Sequence, residues 1–533
     1  MADTQTDQHA NVVLILVDDM GFSDIGCYGS EIATPNLDAL AAGGLRLTQM
    51  YNGARCCPTR ASLLTGRYAQ QVGIGHMVNN LGAPAYQGYL NDQCVTIAEA
   101  LRAAGYRTLM SGKWHVGGYY GRDPEQWHDG EPGYPTPMQR GFDHHYGTLA
   151  GAGSYFNPHT LQRDGRYIEP EGDDYYYTDA ISQEAAGMID QAVQDSRPFF
   201  CYVAYTAPHW PLHAFPEDIA RYRGRYLDGW DGVRAARYAR MRDLGILPTD
   251  WEMSPRDRQA PDWDSLSPDE QNWEDARMAT YAAQVERMDR GVGTVLEALW
   301  RNGVTEQTLV LFLSDNGGCA EFLREDGPRD YAPARTRDGR PVRMGNTPGL
   351  LPGPADTYMS YDLPWANASN TPFRLYKHWV HEGGISTPLI ASWPGVIPPG
   401  AISHTPCHLI DVLPTTLEAA NAQYPPTLHG TPVPAPEGES LVPLFRGALA
   451  WQRERPICWE HEGNRAVRRG NWKLVCKFPG DWELYDMAND RTELHDLVTT
   501  WPSVAQELAA YYDAWASRCG VVPWEDIRPR PRQ

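Results

Sequence analysis

Two adjacent cysteines, a proline and an arginine fall within five residues, Cys56-Cys57-Pro58-Thr59-Arg60, and run into Ala61-Ser62-Leu63-Leu64-Thr65-Gly66-Arg67. Proline suits the first position of a helix, Ala61, Leu63 and Leu64 continue one, and Gly66 suits its C-terminal stop. The spacing therefore puts Cys56 just before a helix N-terminus. Backbone N–H groups and the positive end of the helix dipole attract sulfate or phosphate there and depress a thiol pKa, and Arg60, one turn on, adds a fixed charge. That is the chemistry of a nucleophile in an oxyanion site.

Four other segments end in reactive residues. The apolar runs at residues 12–17, 106–110, 199–205 and 309–313 lead to Asp18-Asp19, to Lys113-Trp114-His115, to His209 and to Asp315-Asn316. Taken singly, Asp or Asn after a strand often caps a turn, and a lone Lys or His is more often solvated or a satisfied core residue. Taken together, three carboxylates and an amide oxygen make a hard, all-oxygen site that favours Ca²⁺ or Mg²⁺ over zinc.

A scaffold must bring these ends together. The runs are too short for helices and hydrophobic throughout, which argues for strands buried on both faces, and ligands bind such sheets at the carboxyl ends of the strands. Between them, Thr96 and Glu99 form a capping box that opens a helix stopped by Gly105, and Met278, Tyr281, Ala282, Val285, Met288, Val292, Val295, Leu296 and Leu299 recur at helical spacing. Residues 409–419 read as a further helix. The expected class is α/β: a large mixed, mostly parallel sheet sandwiched by helices. After residue 445 the pattern changes to short runs at 456–460, 472–476 and 482–485, an antiparallel sheet, followed by an amphipathic helix at 504–515. This divides the chain into a catalytic domain, residues 1–445, and an α+β tail, residues 446–533. Two long stretches, 210–272 and 319–370, read as lids or rims. Tyr155, Phe156, Trp210, His213, Tyr361 and Trp365 are candidates for an aromatic pocket wall there, with plain packing the competing reading for each.

Composition narrows the partners. In 533 residues, Lys+Arg 46 against Asp+Glu 67 give a net charge of -21, which disfavours nucleic acid. A small anion must be captured by local cations against that field. No apolar stretch reaches the ~20 residues of a membrane span. The first residues lack a basic, cleavable leader, and the ten cysteines show no CxxC spacing, so the expectation is a cytoplasmic protein with reduced thiols.

Cys56-Cys57-Pro58-Thr59-Arg60 with Leu64-Thr65-Gly66-Arg67 resembles the CxPxR…LTGR signature of the type I sulfatases, in the alkaline phosphatase superfamily, in which a maturation enzyme oxidises the first cysteine to formylglycine. Gly112-Lys113-Trp114-His115, Ala207-Pro208-His209 and the segment from Thr371 through Lys377 to Gly384 resemble further family motifs, as do Trp472-Lys473-Leu474 and Trp482-Glu483-Leu484-Tyr485-Asp486 in the tail. The closest likeness is to bacterial calcium-dependent arylsulfatases. It implies an alkaline phosphatase-like fold, one divalent cation held by Asp18, Asp19, Asp315, Asn316 and an oxygen of the modified Cys56, and catalysis by Cys56, Arg60, Lys113, His115, His209 and Lys377. The implied reaction is hydrolysis of a small sulfate monoester. Two departures stand out: the variable position is itself a cysteine, Cys57, and Lys377 lacks the glycine-flanked context of many relatives.

The alternatives are a phosphonate monoester or phosphodiester hydrolase of the same superfamily, although Asn316 stands where those enzymes commonly carry His, and an anion-binding pseudoenzyme if Cys56 stays a thiol. A Cx₅R phosphatase loop would need arginine at positions that are Ser62 and Leu63.

Overall fold

The computed structural model describes residues 9–248, 251–448 and 451–529; the first eight residues, on which much of the leader reading rests, lie outside it. The centre of the molecule is the strand Asn11–Asp18, every residue of which is buried. Its alternate residues serve opposite layers. Val12, Leu14 and Leu16 pack toward Cys56–Thr65, Ile97–Ala103 and Val412–Ala419, whereas Val13, Ile15 and Val17 pack toward Tyr177–Gln194 and Pro268–Arg301. This is why the sequence shows a continuous apolar run and no polar/apolar alternation.

Asn11–Asp18 lies parallel between Phe199–Pro208 and Thr308–Ser314, and Arg107–Gly112 and His144–Thr148 extend the sheet in parallel beyond Phe199–Pro208. On the other side Ser386–Ser392 runs antiparallel between Thr308–Ser314 and Leu45–Tyr51. The sheet has 11 strands and is mixed, mostly parallel at its centre. All four expected apolar runs are strands within it. A register shift between Leu16 and Asp18 against Phe199–Pro208 turns the chain at the point where the two carboxylates begin.

The capping box at Thr96 forms in both directions, and the long helix starts ten residues earlier than its apolar stripe, at Pro268, under a second capping box from Ser267 to Glu270. The Cys56 helix starts two residues earlier than expected: Cys56 is its first residue, Arg55 is the N-cap and Pro58 is third. Gly66 ends it in the left-handed region at φ 64.

Residues 210–272 are not a loop. They contain the helices Pro216–Ala220 and Gly229–Asp243 and the start of Pro268–Arg301. The arginines that made the stretch look like a solvated rim are paired: Arg237 binds Asp24 and Glu31, and Arg223 binds Asp275. Residues 319–370 do remain largely irregular, with a two-stranded pairing of Arg343–Met344 and Thr357–Tyr358 and the helix Asp362–Ser369.

The tail is a four-stranded antiparallel meander, Ile457–His461, Asn464–Arg469, Trp472–Cys476 and Trp482–Asp486, against which Pro502–Cys519 packs. It shares its core with the rest of the chain: Ile457, Trp459, Ala466 and Val475 pack on Tyr51, Ala54, Val380 and Ile385. Among the described residues no helix is long and apolar enough to cross a membrane.

Candidate active site

The strand ends and the Cys56 helix converge on one buried cluster. Asp18, Asp19, Arg60, Lys113, His115, His209, Asp315, Asn316 and Lys377 are all at most 6% exposed. Charge is arranged in two halves. Lys113 donates to Asp18 Oδ2, which Arg60 also approaches at 3.5 Å, while Arg60 pairs with Asp315 Oδ2 at 2.8 Å. On the other side Lys377 Nζ lies 2.8 Å from Asp19 Oδ1 and 3.4 Å from His209 Nε2, which is itself 3.3 Å from Asp19 Oδ2.

Backbone geometry holds these groups in place. Asp19 and His115 sit in the left-handed region at φ 64 and 56, which is uncommon for non-glycine residues although Asp and His are among those that enter it most readily. The Asp19 amide donates to Asp315 Oδ1 at 3.2 Å, linking the two acidic strand ends, and Thr59 Oγ1 donates to the Asp315 carbonyl at 2.6 Å, tying the Cys56 helix to the same point. Gly151 leaves room for the His115 ring: a Cβ there would stand 2.1 Å from Cε1. His209 is oriented by contacts of its backbone carbonyl with Tyr155 Oη (2.8 Å) and of its Nδ1 with the Trp210 carbonyl (2.6 Å).

The electrostatics follow from burial opposed by neighbours. Burial raises the Asp18 carboxyl, but Lys113, His209 and Arg60 outweigh it and hold it at about 2. Burial and the adjacent Asp18 push Asp315 well above the carboxylate range. Hydrogen bonding from Cys57, then Lys113 and His115, hold the Cys56 thiol well below its ordinary value despite burial, whereas burial and Cys56 push Cys57 up. Burial and Lys113 bring His115 down to about 4, leaving it a neutral base, its Nε2 3.3 Å from Cys57 Sγ.

The residues fit a cation. Asp18 Oδ1 and Asn316 Oδ1 are buried without a hydrogen-bond partner in the middle of this cluster. Orphaned buried oxygens are costly, and an oxygen-seeking dication would satisfy both. Asp18, Asp19 and His209 also present potential ligand atoms within 4.8 Å of one another.

The six aromatic-wall candidates separate. Trp210 is at the site, its ring 4.4 Å from that of His209, and it lines a cavity of ≈230 Å³ with Phe322, Leu323, Tyr331, Met344 and Tyr358. Phe156 is half-buried against Tyr176, His213 and Phe215 and lines a different cavity with Asn157 and Arg337. The other four are packing residues. Trp365 is locked among Tyr226, Trp230 and Trp263, Tyr361 stacks on Tyr281 and accepts from the Cys319 amide, His213 bonds the Thr357 carbonyl, and Tyr155 supports His209. Their polar atoms find partners only in the folded chain, a backbone group for Tyr155, His213 and Tyr361 and the Glu274 carboxylate for Trp365, so sequence had no means of separating them from wall residues.

Glu321 was not singled out by sequence. It pairs with Arg55 at 3.0 Å and accepts from Trp210 Nε1 at 2.8 Å, bridging the helix N-cap to the aromatic rim. One glutamate in a stretch rich in charge carries no spacing signal.

A family model described as Sulfatase matches residues 10–422, and that of the N-sulphoglucosamine sulphohydrolase C-terminal region matches residues 373–511. An uncharacterized sulfatase of Schizosaccharomyces pombe is 34% identical, over 97% of this chain and 95% of its own. An arylsulfatase of Klebsiella aerogenes is 35% identical, over 81% and 91%. Among solved structures, Ps i-CgsB in complex with k-i-k-neocarrahexaose superposes with a TM-score of 0.66 at 26% identity, covering 96% of this chain and 93% of that one. With the mixed sheet of the alkaline phosphatase-like sulfatases and this degree of match along its length, the chain belongs to the sulfatase family and is a sulfuric ester hydrolase.

Proposed function

We propose that the natural substrate is a small sulfate monoester with an aryl or otherwise apolar leaving group, and that Cys56, converted to formylglycine by a maturation enzyme, carries the nucleophile. The observation that supports it best is the convergence of Asp18, Asp19, Asp315 and Asn316, two of whose oxygens lack a hydrogen-bond partner, on a helix N-terminus that begins at Cys56. When bound there, Ca²⁺ would neutralise sulfate charge and hold an oxygen of the modified residue. The hydrate of formylglycine would supply two hydroxyls on one carbon, one to attack sulfur and one whose deprotonation expels sulfate.

The chain's own residues do the rest. Arg60, Lys113, Lys377 and the helix N-terminus surround the sulfate with fixed positive charge. His209 donates a proton to the leaving oxygen from Nε2, the atom beside Lys377 Nζ. His115, held neutral, accepts the proton of the second hydroxyl. The leaving group enters the cavity of Trp210, Tyr331 and Tyr358, whose apolar lining favours an aromatic ring. The ten cysteines are all unpaired buried thiols, in keeping with a cytoplasmic location.

Mass spectrometry of the tryptic peptide spanning residues 56–60 tests the modification: conversion makes it about 18 Da lighter. Turnover of aryl sulfates should rise with occupancy, and Cys56→Ser should lose multiple turnover. Full activity with two intact thiols in that peptide would overturn the scheme.

A further inference from the structure

Three histidines and a glutamate far apart in sequence meet where the tail joins the catalytic residues. His76 follows the short turn Ala69–Val72, His378 follows Lys377, and His461 and Glu462 lie at the turn between Ile457–His461 and Asn464–Arg469. Glu462 is the hub. Its Oε1 is 2.7 Å from His76 Nε2 and 3.7 Å from His461 Nε2, and its Oε2 is 3.0 Å from His378 Nδ1. Potential ligand atoms of His76, His461 and Glu462 all lie within 4.8 Å of one another.

Hydrogen bonding leaves this cluster incomplete. His461 is 0% exposed, yet neither of its ring nitrogens has a hydrogen-bond partner, and His76 Nδ1 has none either. Buried polar atoms are nearly always paired. Glu462 is held at φ 51, so its carboxylate is aimed by the backbone.

We propose that His76, His461 and Glu462 form a second metal site that takes a borderline transition-metal dication, zinc by preference. Imidazoles with one carboxylate suit zinc, as the oxygen-only cluster at Asp18 suits calcium. Tetrahedral zinc with bonds of about 2.0–2.1 Å separates its ligand atoms by about 3.3 Å, between the two distances His76 and His461 keep from Glu462 Oε1. The three ligands come from the tail turn and from the segment after Ala69–Val72, so the ion clips these two parts of the chain together. Glu462 and His378 side chains are 23% and 25% exposed, which gives the ion a way in.

The test uses the full chain, stripped with a chelator and saturated with calcium, then titrated with cobalt(II) followed by zinc(II). One cobalt per chain should give the intense visible absorption of a tetrahedral site, and one zinc should displace it. Glu462→Gln and His76→Gln, checked for folding by circular dichroism, should each weaken cobalt binding at least ~10-fold, while Asp18→Asn leaves it unchanged. No tetrahedral band, or a band lost with Asp18→Asn and kept in the other two variants, would overturn the proposal. Neither result bears on formylglycine or sulfate hydrolysis, so the two readings fail separately.

Discussion

His209 and His115 occupy opposite sides of the site and have separate tasks, which gives them different kinetic signatures. His209→Ala should cost ~10²–10⁴-fold in kcat/KM on sulfate esters of poor leaving groups and much less on nitrophenyl sulfate, whose leaving oxygen scarcely needs a proton. A uniform loss across a leaving-group series would assign His209 a purely structural part. Position matters as much as identity for His115. Its ring lies against Gly151, where a Cβ would come within 2.1 Å, so Gly151→Ala should displace the ring and lower kcat by about 10²-fold while the melting temperature stays near wild type. A variant that turns over normally would show that the ring has room to move.

The helix Gly229–Asp243 supports the acidic loop from behind. Arg237 is fully buried and binds Asp24, whose Oδ2 accepts from the Gly21 amide at 2.8 Å and from Tyr281 Oη at 2.7 Å. These contacts fix the turn that follows Asp19. Removing one member of a buried pair leaves the other charge uncompensated, so Arg237→Met should destabilise the protein by about 3–5 kcal/mol in urea unfolding. A cost under 1 kcal/mol would mean that Asp24 finds another partner. The same helix shows why residues 210–272 misread as a rim: four arginines and few aliphatic residues resemble a solvated loop until Asp24 and Glu31, over 200 residues away in sequence, are seen to pair with Arg237.

Tail and sheet are joined by a buried charge network. Lys473 donates to Glu382 (2.9 Å) and Glu493 (2.8 Å), and Arg491 binds Glu382 (2.7 Å) and the Thr48 carbonyl (2.6 Å), with Lys473, Glu382 and Arg491 all 0% exposed. Lys473→Met should therefore cost about 3–5 kcal/mol, seen as a lower urea midpoint. Burial raises the Glu382 carboxyl, but Lys473, Arg491 and Arg468 bring it from 4.5 to about 2. A depressed folded-state value means that this contribution is complete above about pH 4.5 and is lost as the pH falls toward 2. Urea midpoints should fall across that window, and less steeply in Lys473→Met; parallel profiles would remove the network as the cause.

The strand ends, the reactive residues on them and the Cys56 helix were legible in the sequence because each is a local signal: an apolar run broken by Asp, Lys or His, or a proline and a glycine bracketing a helix. Periodicity likewise revealed the long Pro268–Arg301 helix and the antiparallel tail. What only the tertiary structure decided depends on pairing across hundreds of residues. Ser386–Ser392 enters the sheet antiparallel, Trp365 is core while Trp210 lines a cavity, and His76, His378 and His461 gather around Glu462. Apolar run length and capping are set by nearest neighbours along the chain, whereas burial of a charge or an aromatic ring is set by whatever the fold brings against it.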